Sequence, residues 1–319
     1  YEIIGREQAD SGNSYRCRKA DNNMRVKVTE YEKVYSFEMA PVTQLCGQNV
    51  QRKNYICESI RKYFSTYKYS EIKNKWRDNV LIDDQCVGRK YFSIISVRQT
   101  SDIMQMIKWS KQSLMMEYVK NLMQKFDWQM HLKSIAEEVE EMFQIVNEDI
   151  TRLGDIELTY SMSEVWDMIQ KSDVSATDET DLYDKSNYEL VMILLNLIDK
   201  VLEYEPKKTI VMLENIDHMV DLREYIEVLK KTKMIARKYD IYFIFSTSLD
   251  GYAYCDEELC SGVSVFGNVD FQMPEFENIC EFIRENYPCT KEISNERIQI
   301  GLSRIIQKIG QENYLYSIE

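Results

Sequence analysis

A chain of 319 residues with 44% apolar content is long enough to bury a substantial core and to form one or two domains. Its net charge of −13 excludes nucleic-acid binding through overall charge, and no apolar run reaches the roughly 18 residues of a membrane span. The first residues do not form a signal peptide, and the absence of an opening Met points to a trimmed terminus. Eight cysteines, at 17, 46, 57, 86, 255, 260, 280 and 289, show no framework spacing and read as reduced cytosolic thiols. With His131 and His218 alone and no CxxC, there is no zinc framework.

Taken in order, residues 1–40 read as β. Val26 and Val28 share one face of an alternating run at 25–30, and 34–39 repeats the pattern. A small antiparallel element should therefore lead into a buried strand at 41–47. A helix is expected from about Lys53, with Ile56, Ile60, Tyr63, Phe64 and Tyr67 on one face. The run YFSIISV at 91–97 is a further strand candidate.

Residues 101–170 read as helical, starting at Ser101 and Asp102. Leu114, Met115, Tyr118, Val119, Leu122, Met123 and Phe126 form one stripe, and Ile135, Val139, Met142, Phe143 and Val146 continue it. Such stripes suit a helical core or an arm that meets a partner helix. Gly154 breaks the pattern, a short strand is expected at 156–160 and a helix at 163–171. The acidic stretch 172–185 reads as a solvated linker. Ser186 and Glu189 form a capping box for a helix to about 203, which Pro206 ends.

Four apolar residues at 210–213 then run into Glu214, Asn215 and Asp217, as in a buried parallel strand with acids at its carboxyl end. A helix over 221–239, capped by Asp221 and Glu224, and a second apolar strand at 241–248 complete a βαβ unit. A last strand is expected near 263–271, with helices at 276–286 and 292–308. Ser246, Thr247 and Ser248 are read as having no nearby histidine or elbow glycine, so no nucleophile–base pair is expected there.

The turn after the first buried strand carries the chemical clue. GQNVQRKN at 47–54 is in register with the phosphate-binding GxxxxGK[ST] loop. Gly47 and Lys53 are in place, Arg52 replaces the second glycine, and Asn54 replaces the hydroxyl residue that holds magnesium. A long arginine crowds a backbone cradle that needs close approach to phosphate. Glu214 stands where an Asp is expected on the partner strand, and Asn215 where a catalytic Glu follows. The set reads as a P-loop ATPase fold without its chemistry; an ordinary strand–turn–helix explains the same residues.

With this order of elements, 207–252 (KKTIVMLENIDHMVDLREYIEVLKKTKMIARKYDIYFIFSTSLDGY) and 154–174 (GDIELTYSMSEVWDMIQKSDV) resemble the long form of the Csn-type accessory proteins of type II-A CRISPR systems. The resemblance spans roughly 40–260. It implies an α/β head, a degenerate P-loop ATPase-like unit with a mostly parallel sheet at 1–100 and 205–275. An α-helical leg is inserted at 101–204, and a C-terminal helical extension covers 276–319. It further implies no ATP requirement, and a cytoplasmic homotetrameric ring that threads double-stranded DNA from free ends. The ring would serve spacer acquisition beside the CRISPR integrase complex and the guide-RNA nuclease. Calcium ions would steady the legs.

The sequence leaves room for this. Between 50 and 98 there are eleven Lys or Arg against five Asp or Glu. Arg52, Arg61, Lys62, Lys68, Lys73, Lys75 and Arg77 are interleaved with aromatics, a local basic track of the kind that neutralises phosphates without reading bases. Glu148, Asp155 and Glu157, with Asp149, are the acids placed for calcium. Thr159 and Ser161 stand where short forms tend to carry acids. Two other functions stay open: a live nucleotide hydrolase using Lys53 and Glu214, and a helical scaffold that binds only protein.

Overall fold

The computed structural model describes residues 23–65, 79–110, 112–124, 126–150, 174, 181–248, 252–267, 270–286 and 294. The first elements among the described residues form an antiparallel hairpin, β1 (Met24–Glu30) and β2 (Lys33–Met39). Strand β4 (Val80–Ile82) joins the other side of β1, giving the order β2-β1-β4. The alternation of Val26 and Val28 is the physical signal for this small sheet: both are fully buried, while Arg25 is exposed and Lys27 half-buried.

The second sheet has six strands in the order β5-β6-β7-β3-β8-β9. They are β3 (Val42–Cys46), β5 (Ser93–Val97), β6 (Thr209–Leu213), β7 (Ile241–Ser246), β8 (Val263–Val265) and β9 (Phe271–Gln272). All neighbours pair in parallel except β8 and β9. The single last strand expected at 263–271 is therefore two short strands turned back on each other around Gly267. Strands β3, β6 and β7 are buried at every position, which explains their unbroken apolar reading.

Each central strand sends alternate side chains into two cores. Val211, Leu213, Phe243 and Phe245 pack on one face with residues of α2 (Thr100–Ile107), α5 (Asn187–Tyr204) and α6 (Leu222–Ala236). Ile210, Met212, Tyr242 and Ile244 pack on the other with α1 (Val50–Phe64) and the three-stranded sheet. Each fully buried Leu, Ile or Phe in these layers contributes about 1.5–3 kcal/mol of transfer free energy. A third cluster joins β8, Ala253, Cys255, Cys260, Met273 and α7 (Ile279–Asn286).

The capping boxes form as expected. Ser186 and Glu189 exchange bonds at the start of α5, and Asp221 and Glu224 do so at the start of α6. The helices at either end of the expected leg, α2 and α5, share a core with the sheet. Ile103, Met104 and Ile107 of α2 and Leu190, Leu194, Leu195 and Ile198 of α5 are buried in the same core as the sheet. Helix α3 (Leu114–Met123) packs on α5 and buries Met116 and Met123. Helix α4 (Phe126–Ile150) differs: Met130, Ile135, Met142, Ile145 and Val146 are exposed along it. Within the acidic stretch, Val174 and Leu182 pack on the sheet's core, so those two positions are not solvated. The strand expected at 156–160 and the helices at 163–171 and 292–308 lie outside the described residues. Among the described residues no helix is long and apolar enough to cross a membrane.

Candidate functional site

Gly47 follows the carboxyl end of β3, where Lys53 reaches it, and Glu214 follows the carboxyl end of β6, with β7 lying between the two strands. Gly47 takes φ +93, in the left-handed region, and a Cβ there would stand 2.4 Å from the Phe266 carbonyl oxygen. Asn49 caps α1, its side chain accepting from the Arg52 N–H at 3.0 Å. This starts the helix three residues before the expected Lys53.

The turn is not an open phosphate cradle. The Asn49 N–H donates to the Phe266 carbonyl at 3.0 Å, and the Val50 N–H donates to Gln48 O at 2.8 Å. Lys53 is 1% exposed and points inward, its Nζ donating to Gly47 O at 2.6 Å and to Thr247 O. Burial lowers its pKa from the ordinary lysine value, against the opposing pull of Cys46 and Asp217. Burial also pushes the neighbouring Cys46 thiol up to about 12, so it stays protonated.

Glu214 is closed in the same way. Its Oε1 accepts from Arg61 Nη1 at 2.5 Å and from Ser96 Oγ at 3.0 Å. Burial raises its carboxyl above the ordinary range, with Arg61 opposing. A cation that sequence places on a DNA-facing track thus sits on Glu214. Arg61, which the sequence reading places on the basic track, is therefore an ion-pair partner of Glu214 with its side chain partly exposed. Arg52 is likewise paired, with Asp270, and Lys62 pairs with Glu58 one turn earlier on α1.

Lys68, Lys73, Lys75 and Arg77, like Asp155 and Glu157, lie outside the described residues. Glu148 is exposed near the end of α4. Calcium takes six to eight oxygens, far more than one carboxylate supplies. Among the described residues no three His, Cys, Asp or Glu side chains are grouped to hold a metal.

Sequence reading places Asp217 among the acids at this end of the sheet but does not find its partners. Asp217, in the short 3-10 turn Ile216–His218, accepts from the Ser248 N–H through both oxygens, at 2.9 and 2.8 Å. Ser248 Oγ lies 2.5 Å from His218 Nε2, so a histidine does stand beside the serine. The pair lacks the rest of a nucleophilic site: the Ser248 N–H that could steady an oxyanion is committed to Asp217. Only the LENIDH sequence after β6, with a left-handed Asn215 at φ 55, hints at so tight a polar turn.

A family model described as CRISPR-associated protein Csn2 subfamily St matches residues 28–309. The chain belongs to this family. Csn2 subfamily St is thus the frame for the closed crevice, and the resemblance read at 207–252 and 154–174 falls within the matched span. The crystal structure of Stu0660 of Streptococcus thermophilus is similar in fold, with a TM-score of 0.74 at 21% identity, covering 89% of this chain and 86% of that one. The crystal structure of the SmcHead bound to the C-winged helix domain of ScpA aligns at a TM-score of 0.38 and 12% identity, over 79% of this chain and 94% of that one. No curated protein matches the chain.

Proposed function

We propose that this chain is a non-enzymatic, sequence-independent binder of double-stranded DNA ends that acts in CRISPR spacer acquisition. It would assemble as a homotetrameric ring and work beside the CRISPR integrase complex and the guide-RNA nuclease. Membership of a CRISPR-associated family supports the setting. The observation that carries the non-enzymatic reading is the engagement of Lys53 and Glu214 by the chain's own groups. A nucleotide hydrolase needs that lysine on phosphate and that acid on magnesium.

DNA binding in this reading falls to the basic track that starts on α1 and continues past it, with Arg52, Arg61, Lys62, Lys68, Lys73, Lys75 and Arg77. Phosphate neutralisation needs only a local track, which a ring repeats around the duplex. Calcium belongs to the reading as a ligand of Glu148 with Asp155 and Glu157, where it would neutralise clustered carboxylates; no step depends on it.

The test is duplex binding by a variant with Lys73→Glu and Lys75→Glu. The expected result is weaker binding with a shallower salt dependence and an unchanged melting temperature. Unchanged affinity would remove those two residues from the interface.

A further inference from the structure

Arg52 sits at the start of α1 with its guanidinium held by the chain's own oxygens. Nη1 donates to both carboxylate oxygens of Asp270 at 2.5 and 2.6 Å, and to the Gly267 carbonyl at 3.4 Å. Its Cζ lies 5.5 Å from the centre of the Tyr35 ring. Asp270 also accepts from the Gly267 N–H at 3.2 Å. This pair differs from Arg61–Glu214 in one decisive respect. The Arg52 and Asp270 side chains are 27% and 32% exposed, whereas Glu214 is 6% exposed. A solvent-borne anion can therefore compete with Asp270 and not with Glu214.

We infer that the Arg52–Asp270 pair is an autoinhibitory contact, in which the Asp270 carboxylate stands in for a DNA phosphate. Carboxylate and phosphate engage the same guanidinium fork. Displacement exchanges one anion for another on an arginine whose position Tyr35 and Gly267 already fix, so little further side-chain ordering is needed. Asp270 thereby keeps the arginine from contributing to binding until a phosphate is close. The inference rests on the DNA reading above.

The experiment measures binding to linear duplex across a salt series for the wild type, Asp270→Asn, Arg52→Ala and the double variant. Asp84→Asn serves as a control that also removes one paired acid from the surface, that of the Lys27 pair. Asparagine at 270 still accepts from the Gly267 N–H, which keeps the local turn. Asp270→Asn is expected to bind more tightly, with a log–log salt slope steeper by about 0.9, one added phosphate contact. Between about 50 and about 200 mM salt its affinity should fall by about threefold more than the wild type's. Asp84→Asn should leave the slope unchanged, and Arg52→Ala should abolish the gain in the double variant. Unchanged binding by Asp270→Asn, or a gain that survives Arg52→Ala, would overturn the inference and leave the DNA reading standing. Absence of binding by all five proteins would remove both.

Discussion

The residues that decide the chemistry are Lys53 and Glu214, and both face inward. Arg61 and Glu214 test this most simply. Removing the cation alone leaves a buried carboxylate unpaired, so Arg61→Ala should cost about 3–5 kcal/mol at neutral pH. Adding Glu214→Gln should recover part of that loss in urea unfolding. The pH dependence has a definite sign. Burial raises the folded-state pKa of Glu214 above its ordinary 4.5, so its stabilising contribution is full below that value and is lost as pH rises through the folded one. Relative to Glu214→Gln, the wild type should therefore lose stability across that window. A difference that grows in the opposite direction would mean that Arg61 outweighs burial. Spacing alone made Gly47, Lys53 and Glu214 legible as a set. Their closure was not legible, because three of the closing pairs span 153 to 218 residues: Arg61 with Glu214, Lys53 with Thr247, and Arg52 with Asp270.

Among the elements, alternation and unbroken apolar runs placed β1, β2, β3, β6 and β7, and the capping boxes placed α5 and α6. Periodicity marks a helix's apolar face without naming what covers it. For that reason α2 and α5 read as part of an inserted leg, although both pack on the sheet. The α3 stripe also omitted Met116, which the structure buries. Helix α4 keeps an exposed apolar face, with Met142 and Ile145 66% and 69% exposed. In the proposed tetramer such a face would be covered by another copy. Met142→Glu with Ile145→Glu should then lower the mass measured by light scattering. The melting temperature of the dissociated chain should stay near that of a monomer, since exposed substitutions stay within about 0.5 kcal/mol. An unchanged assembly would exclude this face from the interface.

On the scale of the whole molecule, a chain of net charge −13 must bind DNA through a local track or not at all. Within the described part of that track, Arg52, Arg61 and Lys62 are each paired with an acid, Asp270, Glu214 and Glu58 in turn. Sequence could count these charges but could not pair them, since pairing is set by the fold. The measurement that tests the central claim most directly compares linear with covalently closed circular duplex of one sequence over a salt series. The account predicts clear preference for the linear form, with affinity falling steeply as salt rises. Equal binding to both forms would contradict a ring threaded from ends, and no binding at low salt would contradict DNA recognition itself.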